Sequence, residues 1–360
     1  MKFSHKVLAV ATVALAAVSL AACGGSKSGS GSSKGDTVTF IPKLTGNSYF
    51  TAGNNGAQKM GKKEGFKVKY DGDSTASVSN QVRVINNAVQ QGQSAISISA
   101  VDPTGLDSAL KAAQKKGVAV TTWDSDVSPD ARSLMVAQGT PEQLGKMLVQ
   151  MGVDGLKARG KDPAKDAIKY TWHYSQATVA DQNSWQHWGE EYIKKNYPNW
   201  INVNKSNYYS NQDAQKAIDV GAAILSAHKD IDLIICNDST ALPGTLQAAQ
   251  NAKLTEKDVT ITGFANPNSI KQYAKKGILY NWGLWNVEDQ GAMAVYLAHY
   301  IAQGHKVKVG DKIKVPGIGT VKVQNNSVLD PKAKNYKDHG VVVLPKRTVF
   351  TKDNMNDYDF

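Results

Sequence analysis

From residue 37 onward two hydrophobic periods alternate along the chain. Short runs rich in β-branched and aromatic residues (37–41, 66–70, 95–99, 118–123) are interleaved with stretches of helical spacing (52–64, 77–91, 104–116). In 77–91, Val78, Val82, Ile85 and Val89 recur at i, i+4, i+7 and i+11, which lays one apolar stripe along a helix. Strands alternating with helices of this length specify βαβ units and a parallel sheet. A turn-rich break, Val127-Ser128-Pro129-Asp130, interrupts the rhythm. It resumes with strands at 133–138, 168–174, 201–205, 233–237 and 259–263, and helices at 184–196, 213–227 and 242–251. Thr140-Pro141-Glu142-Gln143 opens one more helix, with a capping threonine, proline at the first helical position and glutamine at the third. After a helix at 287–303, the segment 307–323 is rich in lysine, glycine and valine and has the pattern of short strands, as do 341–344 and 348–350. The fold class predicted is α/β, with two doubly wound parallel-sheet lobes. The break near 127 sets residues 36–126 and 287–305 in an N-terminal lobe and 127–286 and 306–340 in a C-terminal lobe. The tail 341–360 supplies the last of three crossings between them.

The amino end carries different information. Lys2 and Lys6 precede an uncharged, largely apolar run at 7–18, and Leu20-Ala21-Ala22-Cys23 follows. A basic start, a short apolar run and small residues before a cut are the marks of a secretory signal, here 1–22. The run is shorter than the roughly 20 apolar residues that span a bilayer. Leu-Ala-Ala-Cys also resembles the bacterial lipoprotein box, which implies cleavage before Cys23 and a lipid on its thiol. Residues 24–35 are almost wholly glycine, serine and lysine, a composition that cannot bury enough apolar surface to offset ordering, so 23–35 is expected to be a lipidated tether. Cys236, in the apolar run Leu233-Ile234-Ile235-Cys236, is then left without a disulfide partner and is expected to be a small buried hydrophobe.

Composition narrows the class further. Loss of Lys2 and Lys6 with the signal lowers the formal charge of +11 by two. The remaining lysines are spread over helices and loops, among them Lys59, Lys62, Lys63, Lys111, Lys115, Lys116, Lys194 and Lys195. No groove-reading or base-stacking motif accompanies them, so nucleic acid is not an expected partner. A solvated basic surface facing anionic lipid or cell wall accounts for the charge. There is no phosphate-binding P-loop, no G-x-G-x-x-G after a strand and no histidine spacing for a metal, so neither a cofactor nor a metal is expected. Asp124 and Asp126 could serve as the paired carboxylates of a glycosidase, but the two-sheet pattern favours binding without turnover.

Ligands of open α/β sheets bind beyond the carboxyl ends of the strands. Reading polar residues off those ends gives Lys43; Asp71 and Asp73; Asp102; Trp123, Asp124 and Asp126; Asp181 and Gln182; Asn237, Asp238 and Ser239; and Asn266. Carboxylates accept hydrogen bonds from adjacent hydroxyls and lysine donates to hydroxyl or ring oxygens, so the set suits a small polyhydroxylated ligand. Flat rings could cover its apolar face: Phe50, Trp123 and Trp285 are candidates, and Trp123, Trp282 and Trp285 serve equally as plain core. Each aspartate could instead cap a helix or form a turn.

Several ordered segments are familiar. Phe40-Ile41-Pro42-Lys43-Leu44, Asn55-Gly56-Ala57-Gln58, Thr122-Trp123-Asp124-Ser125-Asp126, Gln138-Gly139-Thr140-Pro141, Asp181-Gln182-Asn183, Ala241-Leu242-Pro243, Gly283-Leu284-Trp285 and Pro316-Gly317-Ile318-Gly319 recur in order. From about Thr37 to Phe360 the chain resembles the type I periplasmic sugar-binding proteins, and within them the Lsr-type autoinducer-2 receptors. The resemblance implies the type I periplasmic-binding-protein fold, a hinged cleft, and ligand contacts at Lys43, Asp124, Asp181 and Gln182. It places two more in the loop after the Cys236 strand, where this chain has Asn237 and Ser239 in place of the family's Pro and Ala. It implies a monomeric, non-enzymatic binding protein that serves an ABC-importer permease and is exported to the outer face of the bacterial cytoplasmic membrane by its lipid anchor. The ligand expected is autoinducer-2 in its borate-free cyclic tetrahydroxy form; a pentose or deoxyhexose such as ribose or rhamnose is the alternative.

Overall fold

Strand β1 (Gly35–Ile41) opens the computed structural model, which describes residues 35–204, 206–333 and 339–360. The signal, Cys23 and the tether up to residue 34 lie outside the described residues, as does Lys205 at the end of the expected strand 201–205. After β1 come α1 (Ser48–Glu64), β2 (Lys67–Tyr70), α2 (Val78–Gln90), β3 (Gln93–Ile98), α3 (Asp107–Lys115), β4 (Ala119–Trp123) and β5 (Leu134–Ala137). The next stretch holds α4 (Pro141–Ala158), β6 (Lys169–Tyr174), α5 (Ala180–Asn196), β7 (Ile201–Asn202), β8 (Tyr208–Tyr209), α6 (Ala214–Ala227), β9 (Leu233–Cys236), α7 (Ala241–Asn251), β10 (Thr260–Gly263), α8 (Pro267–Lys275) and β11 (Trp282–Trp285). Last come α9 (Val287–Ala302), β12 (Lys312–Val315), β13 (Gly319–Lys322), β14 (Gly340–Val343) and β15 (Arg347–Phe350).

Two parallel sheets result. One has the order β14-β5-β4-β3-β1-β2, the other β10-β9-β6-β7 with β8 also on β6. Central strands such as β4 are buried throughout because helices cover both faces, as parallel sheets require. In the first sheet, α2 and α3 bury Ile85, Leu106 and Leu110 with Ile96, Ile98 and Val120 on one face. Helices α1 and α9 take the other face, and they approach closely. A Cβ on Gly56 would lie 1.9 Å from the carbonyl oxygen of Glu288, and one on Gly291 1.9 Å from that of Gly53. The predicted cap forms, with Thr140 and Gln143 making the reciprocal capping box of α4; Ser77 also caps α2.

The chain passes between the sheets three times: from β5 to α4, from β11 to α9, and from β14 to β15, which pairs antiparallel with β11. The boundary expected at 126/127 needs correction. β5 pairs parallel with β4, and β14 with β5, so 134–137 and 340–343 belong to the first sheet. The break at 127–130 holds a short 3-10 turn, Pro129–Ala131, that brings the chain back into the same sheet. The β12–β13 hairpin also belongs with the first lobe, since its Ile313, Val315 and Val321 are buried in the core and Val323 stands against Gly340 at the start of β14. Arg132 holds this return in place. It is fully buried and donates to Asp126 Oδ1 and Oδ2 (2.9 and 2.6 Å), to the Gly340 carbonyl (2.9 Å) and to Asn326 Oδ1 (2.7 Å). All the described residues fall in one compact unit, 34–360, with its own core. Among them no helix is long and apolar enough to cross a membrane.

Candidate functional site

The carboxyl ends of both sheets converge on one cleft. Lys43, Asn47, Tyr49, Phe50 and Asp124 line it from the first lobe; Gln182, Trp185, Gln212, Asn237, Asp238, Ser239, Thr240 and Phe264 line it from the second, with Trp285 at the crossing into α9. Lys43 Nζ lies 2.8 Å from Asp124 Oδ2, and both side chains are almost fully buried. Ser99 Oγ donates to the same oxygen (2.6 Å) and the Tyr49 hydroxyl to Oδ1 (3.0 Å). Asp124 reaches this position with a left-handed backbone, φ 61°, which aspartate tolerates better than most residues and which is common at functional sites. Burial pulls the Lys43 ammonium down, but Asp124 and Asp181 outweigh it and hold Lys43 above its ordinary value. Lys43 therefore stays charged, with donor capacity beyond its one bond to Asp124.

The second lobe supplies acceptors and amides. Asp181, in the first turn of α5, accepts from Ser125 Oγ of the first lobe (2.7 Å). Burial raises its carboxyl to about 6, against the attraction of Lys43 and with the repulsion of Asp124 added. Gln182 accepts from Ser175 Oγ (2.6 Å), and its carbonyl receives Asn237 Nδ2 (3.0 Å). Asp238 caps α7 through the N–H groups of Thr240 and Ala241 (3.0 and 2.7 Å), and burial raises its pKa despite those bonds. Asp181 Oδ2, Asn237 Oδ1 and Gln212 Nε2 are buried without a hydrogen-bond partner among the described residues. Leaving such groups unpaired costs about 1–3 kcal/mol each. A molecule rich in hydroxyls can satisfy all three, since hydroxyl both donates and accepts.

Five of the six ligand contacts that the resemblance implies meet on the cleft wall itself, Lys43, Asp124, Gln182, Asn237 and Ser239, and Asp238 joins them. Asp181 stands at its edge, where the interlobe gap widens into a groove beside Arg132, His187 and Trp188. Phe50 and Trp285 face the cleft, but Trp123 does not. It is fully buried, stacked on Phe40 at 4.5 Å and parallel to Tyr49, because its strand residue points into the α1 side of the sheet. Asp126 is taken by Arg132, Asp73 by Arg83, and Asp102 by the turn N–H groups of Thr104 and Gly105. Sequence reasoning missed Asn47, Tyr49, Trp185, Gln212, Thr240 and Phe264. Asn47 and Gln212 lie in loops; the one caps Tyr49 N–H (2.8 Å), and the other carries φ 58°. Asn47 Nδ2 also donates to Thr240 Oγ1 (3.3 Å) and Asn266 Nδ2 to the Ser48 carbonyl (3.0 Å), so loop amides join the two lobes across the cleft.

Residues 38–306 match the family model of the periplasmic binding protein domain. The solved structure of LsrB from Clostridium saccharobutylicum in complex with AI-2 is 68% identical, with a TM-score of 0.89, and the match covers 90% of this chain and all of that one. The ribose import binding protein RbsB of Salmonella typhimurium is 24% identical over 76% of this chain and 87% of its own length. The fructose import binding protein FruE of Bifidobacterium longum is 30% identical over 148 residues, 40% of this chain and 45% of that protein's length.

Proposed function

Since the chain belongs to the periplasmic binding protein family, we propose that it is the substrate-binding lipoprotein of an ABC importer and takes autoinducer-2, in its borate-free cyclic tetrahydroxy form, into the cleft between its lobes. The observation that carries this is the buried set of unpaired polar atoms around the Lys43–Asp124 pair, a lining suited to a small ring with adjacent hydroxyls. In the proposed complex Lys43 donates, Asp124 and Asp181 accept, and Gln182, Asn237 and Ser239 complete the contacts. Phe50 and Trp285 cover the apolar faces. Identity of 68% over the whole length of a Clostridium protein solved with AI-2 supports the choice of ligand. Asn237 and Ser239 are the positions that favour a plain sugar, and the relatives that import ribose and fructose are much more distant.

Export, cleavage before Cys23 and a lipid on its thiol would hold the protein at the outer face of the cytoplasmic membrane, beside its permease, as a monomer. Mass spectrometry of membrane-extracted protein tests this: an acylated Cys23 amino terminus is expected, and intact unmodified Cys23 would overturn it. Calorimetric titration of ligand-free protein with autoinducer-2, ribose and rhamnose in parallel tests the ligand. Tight binding of autoinducer-2, recovered chemically unchanged, is the expected result. Tight binding of ribose or rhamnose with no heat from autoinducer-2 would leave a sugar-binding protein in its place.

A further inference from the structure

The lysines that look scattered along the sequence are partly gathered by the fold. In 306–323 an alternation of lysine with valine or isoleucine sends Val307, Ile313, Val315, Val321 and Val323 toward the core and leaves Lys306, Lys308, Lys312, Lys314 and Lys322 exposed. Strand pairing sets Lys312 directly opposite Lys322, a like-charge juxtaposition that costs stability. The hairpin turn rests against the last turn of α1, where a Cβ on Gly317 would lie 3.3 Å from Lys63 Nζ, so Lys62 and Lys63 extend the same basic region. Among the described residues none of these lysines makes an ion pair. The one acid within the segment, Asp311, turns its carboxylate to the backbone N–H of Lys308 (2.9 Å).

The position of this region matters as much as its charge. The carboxyl ends of α1 and α9 lie at the opposite end of the strands from Lys43 and Asp124, since α1 runs into the start of β2 and the last turn of α9 meets the start of β1. Asp36, at the start of β1, bonds His299 in the last turn of α9 (2.7 Å), so β1 begins at the end of the lobe where α9 runs out toward Lys306. Lysines on an edge hairpin can act simply to block strand pairing. That role does not call for the continuation onto α1. The set contains no arginine fork for phosphate-specific or base-edge recognition, and its cations are independent, flexible point charges. Such a surface is matched by another broad surface of negative charge.

We propose that the lysine face formed by the β12–β13 hairpin, the segment before it and the last turn of α1 docks the first lobe on an anionic phospholipid membrane. The compact unit 34–360 lacks Cys23, so its binding reads the lysine face without the lipid. It is tested by co-sedimentation with vesicles of phosphatidylglycerol and phosphatidylcholine, against phosphatidylcholine alone, at low salt. Binding to the anionic vesicles only is expected, with release at about 0.5 M salt, where screening shortens to a few ångströms. Each lysine at an anionic surface contributes roughly fivefold to partitioning. The triple variant Lys312→Gln/Lys314→Gln/Lys322→Gln should therefore bind at least tenfold more weakly, with the cleft titration unchanged and the melting temperature no lower, since the Lys312–Lys322 repulsion is relieved. If that variant is unstable, Lys62→Gln/Lys63→Gln gives the same reading from a helix end. Equal binding to both vesicle types, no binding to the anionic ones, undiminished binding by both variants, or retention on double-stranded DNA but not on vesicles would each overturn the proposal.

Discussion

At Asp124 a left-handed backbone and a buried ion pair coincide, and the two can be separated by substitution. Asparagine tolerates φ 61° and keeps an acceptor oxygen for Lys43 while removing the counter-charge, whereas alanine removes the acceptor as well and is strained at that φ. Losing a charged hydrogen bond costs about 1.5–3 kcal/mol, so Asp124→Asn should weaken autoinducer-2 binding roughly tenfold to hundredfold by calorimetry. Asp124→Ala should in addition lower denaturant stability by about 3–5 kcal/mol. Asp73→Ala, whose carboxylate meets exposed Arg83 away from the cleft, should change neither measurement. Asp181 predicts a pH dependence. Burial lifts it to about 6 from 3.8, so the folded, ligand-free protein holds that proton more tightly than the unfolded chain. Its contribution to stability is present at low pH and is lost as pH rises through about 4 to 6. A hydroxyl donated to Oδ2 favours the carboxylate and lowers that pKa, so ligand binding should release a proton. Affinity should fall as pH drops from 7 to 5, and titrations in buffers of different ionisation enthalpy should detect the proton. Affinity unchanged over that range, or proton release that survives Asp181→Asn, would remove Asp181 from the ligand contacts.

At the scale of elements, the α1–α9 contact is set by glycine rather than by large side chains. Gly56 and Gly291 let the two helices approach until a Cβ would overlap backbone carbonyls, which cannot move aside as a side-chain tip can. Gly56→Val should force the helices apart and cost at least about 1–3 kcal/mol, the usual range for overpacking. Because α9 reaches the first lobe from the crossing at Trp285, the same change should also weaken ligand binding. Melting and calorimetry on one preparation check both. A variant with wild-type melting would mean that the helices have room to relax.

For the whole molecule, a few hydrogen bonds join loops and helix starts of the two lobes across the cleft: Ser125 to Asp181, Asn47 to Thr240 and Asn266 to Ser48. Beside the ring packing of Trp285 against Tyr49, Trp185 and Phe264 at one crossing, these few polar contacts can part without opening either sheet, so the three crossings should act as a hinge. X-ray scattering should report a smaller radius of gyration with autoinducer-2 than without it. Asn47→Ala combined with Asn266→Ala should weaken binding while leaving each lobe folded. An unchanged radius on saturation with ligand would argue against hinge closure.

The sequence by itself determined what depends on neighbours along the chain. The strand–helix alternation, the Thr140 capping box, and the placing of Lys43, Asp124, Gln182 and Asn237 just past strand ends follow from period, capping chemistry and the topology of parallel sheets. The ordered segments from Phe40 to Gly319 added a family and a ligand class that periodicity could not supply. Only the tertiary structure decided which sheet each strand joins. The run 134–137 reads alike for either lobe until β4 and β14 pair with it, and a turn at 129–131 does not reveal whether the chain leaves the sheet or returns. It also decided which charges are free. Asp126 looks as available as Asp124 until Arg132, from beyond the turn, closes on it, and Trp123 looks as able to line the cleft as Trp285 until α1 packs over its ring. Asn47 and Gln212 enter the cleft from loops without hydrophobic period, so their direction is fixed by backbone angles and packing alone. Local pattern specifies elements because helix and strand geometry repeat every few residues; pairing, burial and side-chain direction depend on contacts hundreds of residues apart, and these exist only once the chain has folded.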